Sequence, residues 1–418
     1  KLLDDRDIRE AWLKYQSEYP HVSAFYRSAP QYKNQISIVD GRKAGTDINL
    51  YKLFLEQCHN LLREGGRCGI IIPSGVYTDL GAKQLREMLF SASEVDTLFG
   101  LSNEKFIFEA VHHAFKFCIL SFAKGGQTDE FRAAFRINPR EAVEPGRLDD
   151  FLHSPHEHIP VSADLVRRLS PDSLSVMEFR CSMDAAVAER LLRFPPLKAD
   201  SSWTIRIKNE FHMTNDSNLY HAERRKGDLP LVEGKMFHQF MAGVAEPKYW
   251  LNEAQARKAL LGKEEDTGQV MDYQQYRLAF RDIAASTNER TMIMTVLPRR
   301  IFCPHTVSLE DVATSRLPAR VRLYLLSVCN SFVNDYTLRM RVTSHLSFFF
   351  IYNLPLPRLT EKDAAFWPIV KRAARLICTT PEFDDLAKEI FGGSAASSTI
   401  GATEPVERGK LRAELDGL

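Results

Sequence analysis

Between Met271 and His345 the chain carries ten arginines, no lysine and six acidic residues. The bias has a chemical meaning, because a guanidinium offers two parallel donors to guanine O6 and N7 or clamps a phosphate, whereas an ammonium is mainly a point charge. Arg277, Arg281, Arg290, Arg339 and Arg341 are therefore candidate nucleic-acid contacts, with Thr287, Asn288, Ser344 and His345 as polar neighbours able to reach bases or phosphates. The competing reading is that these arginines lie over a β surface and pair with Asp272, Asp282, Glu289 and Asp335. Two other constellations carry less. Cys303-Pro304-His305 is at most half of a four-ligand zinc site, and His156 and His158 fall in a polar stretch that reads as an exposed loop. The seven cysteines are dispersed without a C-x-x-C pair and read as reduced core thiols, so no metal is expected.

The formal charge of the 418 residues is only +1. A nucleic-acid-binding face must then concentrate positive charge locally. With 44% hydrophobic and 26% charged residues, the composition is that of an ordinary soluble protein of two or three domains. No apolar run approaches the ~18 residues of a membrane span, which points to a cytoplasmic protein without a membrane partner. The start at Lys1, with neither an initiator Met nor a signal-like segment, reads as internal to a longer chain, as does the charged helix that opens near Glu407 and stops at Leu418.

The elements that must position these residues begin with an amphipathic helix from Leu50 through Phe54, Leu55, Cys58, Leu61 and Leu62, closed by Gly65-Gly66. Arg67 to Ile72 reads as a strand buried on both faces, followed by a helix over 83–90 and strands over 95–99 and 114–123. That order is the back half of an open α/β sheet whose last two strands pair antiparallel. Residues 126–200 read as a linker that makes some structure of its own, and 201–360 as a mixed α+β domain with one helix from Pro318 to Val333. Helices follow in 361–418, interrupted by a Gly, Ala, Ser and Thr-rich stretch, 392–403, expected to be a disordered loop.

Two sets of motifs carry a family resemblance. Asn49-Leu50-Tyr51-Lys52-Leu53-Phe54, Leu61-Leu62-Arg63-Glu64-Gly65-Gly66 and Ile70-Ile71-Ile72-Pro73-Ser74 resemble the gamma class of N6-adenine DNA methyltransferases over Asp47 to Phe122. Leu229 to Phe240, Tyr276 to Ala284 with Asn288-Glu289-Arg290, and Leu338 to Leu356 resemble the recognition domain of type IIG restriction-modification enzymes and related phage-defence methyltransferases. Arg408 to Gly417 resembles that family's terminal helix. The resemblance implies an α/β fold: the carboxy-terminal half of a class I, Rossmann-like methyltransferase sheet (1–125), then the 126–200 linker, a target-recognition domain (201–360) and terminal helices (361–418). Double-stranded DNA is the implied partner and S-adenosyl-L-methionine the implied cofactor. The family's acidic-x-aromatic-x-Gly cofactor motif and its Asn/Asp-Pro-Pro-aromatic catalytic motif are both absent, and Asn138-Pro139-Arg140 is no substitute. No catalytic residue is therefore expected in this chain. The missing half would lie upstream or on a partner, other defence-system subunits being further partners, and the alternative is a specificity subunit without enzymatic activity.

By the same resemblance, Phe108, with Phe106 next, is the implied stacking surface for an extruded adenine, since methylation at N6 requires the base to leave the duplex. Asn49 and Tyr51 border the base pocket, Asn49 also being suited to cap the helix, and Tyr77 is a weaker candidate. Lys235, His238 and Gln239 join the DNA-contact set. The Asp216 and Glu233-Gly234-Lys235 pattern, which superficially mimics a metal-dependent nuclease, is accounted for by the same recognition block.

Overall fold

The computed structural model describes residues 2–39, 41–44, 48–104, 107–113, 115–137, 147–199, 203–284, 288–342 and 345–418. The chain divides into two units, residues 1–192 and 193–418.

The first unit opens with α1 (Arg6–Ser28), whose amino end is capped by the Asp5 carboxylate and which buries none of its side chains. A hairpin of β1 (Ser37–Val39) and β2 (Arg42–Ala44) leads to α2 (Leu50–Leu61). The sheet then assembles from β3 (Arg67–Pro73), β4 (Ser93–Ser102), β5 (Lys116–Lys124), β6 (Glu130–Ile137) and β7 (Ile159–Ser162), in the order β3-β5-β4-β6-β7. β5 runs antiparallel to both β3 and β4, and β6 runs parallel to β4. The carboxyl ends of β3, β4 and β6 therefore share one edge.

Several sequence expectations change here. The helix α2 ends at Leu61 with Leu62 as its cap, not at Gly65-Gly66; Gly65, at φ 71°, instead turns the chain so that its amide donates to the Lys124 carbonyl. Leu50, Phe54 and Leu61 of α2 face outward, while Leu53, Leu55, Glu56 and His59 are buried. The cause is polar: the Glu56 carboxylate accepts from the Asn34 amide (2.9 Å), its side chain (2.7 Å) and the Gln35 side chain (2.7 Å). A buried carboxylate with three donors outweighs an apolar stripe that water can reach. β3 is not buried on both faces, and Ile71 is 55% exposed, because β5 is its one neighbour among the described residues.

The 126–200 segment holds more structure than a linker, since β6 and β7 belong to the sheet of the first unit. Gly125 and Gly126, both at positive φ, return the chain into β6, whose Phe131, Ala133 and Phe135 alternate into the core. His158 is buried between Phe99 (4.8 Å) and Phe151 (5.1 Å), because apolar rings close over it. After β3 comes the short α3 (Gly75–Thr78), and Arg86, on α4 (Lys83–Ser91), ties the 126–200 segment to that turn. Its buried guanidinium donates to the carbonyls of Val76 (2.6 Å), Asp79 (2.6 Å) and Ser173 (2.6 Å).

The second unit is built on an antiparallel sheet of order β14-β13-β15-β8: β8 (Ile207–Lys208), β13 (Arg277–Arg281), β14 (Met294–Leu297) and β15 (Val307–Glu310). Around it lie the pair β9 (Asp228–Leu231) with β12 (Tyr249–Asn252) and the hairpin β10 (Phe237–His238) with β11 (Met241–Ala242). One apolar core runs from Trp203 and Phe280 through Leu325 of the Ala319–Asn330 helix to Val370, Leu386, Ala402 and Leu411. The boundary expected at residue 360 thus does not divide the core. Residues 392–403 are not a disordered loop either. Ser397 is bonded by the Asp384 carboxylate, Ala402 is fully buried with its amide on the Arg375 carbonyl, and a Cβ on Gly401 would overlap the Cys378 carbonyl. Small residues allow this close approach, and their composition alone imitates a linker.

Arg277 and Glu210 form a fully buried, bidentate ion pair, completed by the Ile301 carbonyl and the Cys303 amide. Glu210→Ala should cost about 3–5 kcal/mol by stranding the guanidinium. Denaturant unfolding checks this, and the double change Glu210→Leu with Arg277→Met should recover much of the loss.

Candidate functional site

In open α/β sheets, ligands bind outside the carboxyl ends of the strands. In the first unit that edge collects Ser74 and Gly75 after β3, Asn103 after β4 and Lys116 at the start of β5. Asn103 is buried and organises the loop between β4 and β5. Its Oδ1 accepts from the Phe108 amide (3.0 Å), and its Nδ2 donates to the carbonyls of Phe108 (3.1 Å) and Val111 (2.8 Å). Thus pinned, Phe108 packs edge-on against Phe117 with centroids 5.0 Å apart, and stays 40% exposed. Phe106 lies outside the described residues, as do Thr287, Ser344 and Asn138-Pro139-Arg140.

Asn49 caps α2, accepting from the Tyr51 amide at 3.3 Å. Tyr51 turns its hydroxyl toward Gly75 and Asp79: a Cβ on Gly75 would lie 2.7 Å from that hydroxyl and overlap the Asp79 carboxylate. Burial, reinforced by Asp79, holds the Tyr51 phenol well above its ordinary range, so it is a neutral donor. Tyr77 is fully buried and serves the core. Its hydroxyl donates to Glu178 (3.0 Å), which also holds Lys116 (2.9 Å) and Arg136 (3.0 Å). A cavity of about 500 Å³ opens at the opposite end of the strands, but Glu94, Asp96, Asp129 and Glu130 line it and outweigh Arg67. That sign of charge repels phosphate.

In the second unit the structure sorts the predicted contacts. Arg277, in its pair with Glu210, is fully buried, and Gln239 is buried with its Nε2 on the Met292 carbonyl (2.7 Å). Arg341 is buried too, its pKa lowered by burial to about 10. Arg339 bonds Asp335 (3.2 Å) and the Glu289 carbonyl (2.7 Å), and His345 bonds Asp282 (2.8 Å), so the pairing account holds for both. Lys235, beside Glu233 at 3.2 Å, and Asn288 are exposed. Cys303 belongs to the core, and His305 stacks on His212 at 4.1 Å.

Three of the predicted residues do converge. His238 is half-buried and held below its ordinary value of 6.5, first by burial and then by the charges of Arg281, Arg412 and Arg290, with Glu289 acting in the opposite direction. Arg281 donates to the Phe237 carbonyl, and Arg290 lies 3.7 Å over the Phe332 ring. Arg412, on the Pro405–Gly417 helix, was not anticipated, nor were Asn103, Asp79 or Glu178. A single Arg or Asn in a helix or loop carries no local sign of a partner distant in sequence.

The comparisons bear on the first unit most directly. Residues 20–108 match the Eco57I restriction-modification methylase family model. No curated protein matches the chain. Among solved structures, the type IIL restriction-modification enzyme MmeI in complex with DNA superposes with a TM-score of 0.50 at 11% identity, over 89% of this chain and 49% of that one. The type IIG restriction endonuclease BpuSI gives 0.34 at 13% identity, over 90% and 50%. A nuclease-deletion mutant of the type ISP enzyme LlaGI with a DNA substrate mimic gives 0.49 at 12%, over 86% and 33%. The MmeI likeness is one of fold, and this chain spans about half of MmeI or BpuSI. The methylase match covers α2, β3, α4 and β4 and ends at Phe108.

Two expectations follow. Asn103→Ala should free residues 107–113, seen as faster hydrogen exchange there, and cost about 1–3 kcal/mol as the part-buried backbone groups of Phe108 and Val111 lose their partner. As pH falls, the unfolded chain protonates His238 before the folded one does, so stability present above 6.5 is lost on acidification. His238→Gln should flatten that loss in denaturant midpoints measured between about pH 7.5 and about pH 5.

Proposed function

We propose that this chain is the carboxy-terminal part of a site-specific DNA methyltransferase that transfers a methyl group from S-adenosyl-L-methionine to the N6 amine of an adenine. On this reading residues 1–125 supply the later strands of a Rossmann-like catalytic sheet, and residues 201–360, with 361–418 in the same core, read a short DNA sequence. Neither the cofactor motif nor the amine-polarising motif occurs among the 418 residues. The chain's residues therefore do not fit the cofactor by themselves, and no transfer step is assigned to them. The setting is restriction-modification or phage defence, where methylation marks host DNA in the cytoplasm.

One observation carries the reading. Within the stretch that matches the methylase family, a half-exposed phenylalanine stands at the carboxyl edge of the sheet on a loop fixed by Asn103. An extruded base needs a flat apolar surface, and stacking is worth about 1–3 kcal/mol per base. The outward Leu50, Phe54, Leu61 and Ile71, with an edge of β3 that pairs with no strand among the described residues, support it further. An apolar edge of this kind fits a sheet that continues, and the reading gives that place to the half bearing the missing motifs. In the second unit, exposed Lys235 and Asn288 are assigned to the duplex, while Arg277, Gln239 and Arg341 serve the core and Arg339 and His345 are held by Asp335 and Asp282.

The 418-residue chain should enrich one short sequence from a random duplex pool. Supplied with the missing segment, it should yield N6-methyladenine in that sequence by mass spectrometry, and Phe108→Ala should slow turnover roughly ten- to hundredfold. N4-methylcytosine as the product, or no sequence enrichment, would overturn the assignment.

A further inference from the structure

Four segments far apart in sequence meet around His238: β10, the end of β13, the strand-leading residues 288–293, and the Pro405–Gly417 helix. Backbone bonds fix the junction, with the Arg281 amide on the Ile293 carbonyl (3.1 Å) and the Phe240 amide on the Met294 carbonyl (3.3 Å). Side chains bring in the helix: Arg412 donates to Gln239 Oε1 (2.7 Å), Arg408 to the Phe240 carbonyl (3.1 Å), and Asp416 accepts from the Phe332 amide (2.8 Å).

The charges gathered there do not cancel. Arg281, Arg290, Arg408 and Arg412 face Glu289 and Asp416, and one Asp416 oxygen is already bonded to the Phe332 amide. Donors are also left over. Arg290 is only 7% exposed, yet its Nη1 has no hydrogen-bond partner among the described residues, and Nε of Arg281 is likewise buried and unpartnered among them. Phe332 supports one face of the Arg290 guanidinium and Gln239 orients that of Arg412, so both forks are held in place before any ligand arrives. Planar donors with spare N–H groups and a local positive surplus match the oxygens of a phosphate.

We infer that Arg290, Arg412, Arg281 and His238 form a single phosphate-binding site, in which the Pro405–Gly417 helix supplies a ligand-contacting arginine. The ligand class is the phosphodiester of a polynucleotide backbone, a source that rests on the function proposed above; a free phosphate or nucleotide shares the chemistry. The site makes Arg290 a backbone clamp with no part in reading base identity.

The test uses the 418-residue chain, its Arg412→Gln, Arg290→Gln and Arg290→Lys variants, and thermal melts to confirm folding. Binding of a mixed-sequence duplex is followed by fluorescence anisotropy from about 50 to about 200 mM salt. Each Gln variant should lower the salt slope by about one unit, equally for every duplex sequence, and Arg290→Lys should restore the slope. In parallel, inorganic phosphate is titrated while the His238 imidazole signal is read by NMR, expected to respond in the wild type but not in Arg290→Gln. If the wild type ignores DNA but shows the Arg290-dependent phosphate response, the site stands with a free phosphate as its source, and the DNA reading fails instead. If DNA binds with an unchanged slope in both folded Gln variants and His238 is indifferent to phosphate, the site is refuted while the DNA reading survives. Absence of both DNA binding and phosphate response refutes both.

Discussion

A guanidinium keeps its proton wherever the fold places it, so each one taken out of water must find acceptors or wait for them. That constraint organises both halves of this chain. Arg86 donates to three carbonyls and so locks the 170–176 segment onto the turn after β3. Arg277 meets Glu210 and joins β13 to the segment leading from β8. Where carbonyls or a carboxylate answer the charge, as here, the arginine is architecture, even though Arg277 Nε keeps no partner among the described residues. Where no carboxylate is bonded to it among those residues, as at Arg290, the same chemistry leaves binding capacity.

The sheet edge in the first unit follows a related logic with neutral groups. Asn103 spends its whole amide on the backbone of the loop it holds, which leaves the Phe108 ring as the part of that loop able to meet a ligand. Gly75 is small enough for the Tyr51 hydroxyl and the Asp79 carboxylate to approach each other over the turn after β3. Polar groups on this edge are thus largely committed to one another, and the exposed feature is apolar. Such an edge suits a ligand recognised by its face.

Local pattern made the elements legible and left their neighbours hidden. The apolar runs and glycine turns located α2, β3, α4, β4 and β5 well, since strand and helix periods are properties of adjacent residues. Orientation was less readable: Leu50, Phe54 and Leu61 look like a core stripe until Asn34 and Gln35 are seen to hold Glu56 inside. β6 escaped notice because glycines and a Pro-rich, His-rich stretch flank it, although Phe131, Ala133 and Phe135 alternate in plain view. Composition misled again at 392–403, where small residues signal close packing. For the site, the arginine bias between Met271 and His345 marked out a region but could not rank its members. Arg277 and Arg290 look alike in sequence, yet a carboxylate some 70 residues away reaches the first, while the second lies over the Phe332 ring with no such partner among the described residues.

The nearly neutral overall charge sharpens the comparison between those two arginines. A protein of formal charge +1 draws little long-range attraction to a polyanion, so any affinity must come from short-range groups. An unpaired buried donor on a charged group costs on the order of 1–3 kcal/mol in the free protein. A ligand oxygen that accepts from it returns that energy on binding, with no added net charge needed on the surface. The fold offsets the standing cost elsewhere, through the Phe332 ring under Arg290 and the apolar core that carries both β13 and the Pro405–Gly417 helix. Because Arg412 reaches the cluster from that helix, removing the helix would take away part of the core, through Leu411, and a charged donor together. The carboxy-terminal helix is then as much a part of the binding surface as the arginine-rich strands are.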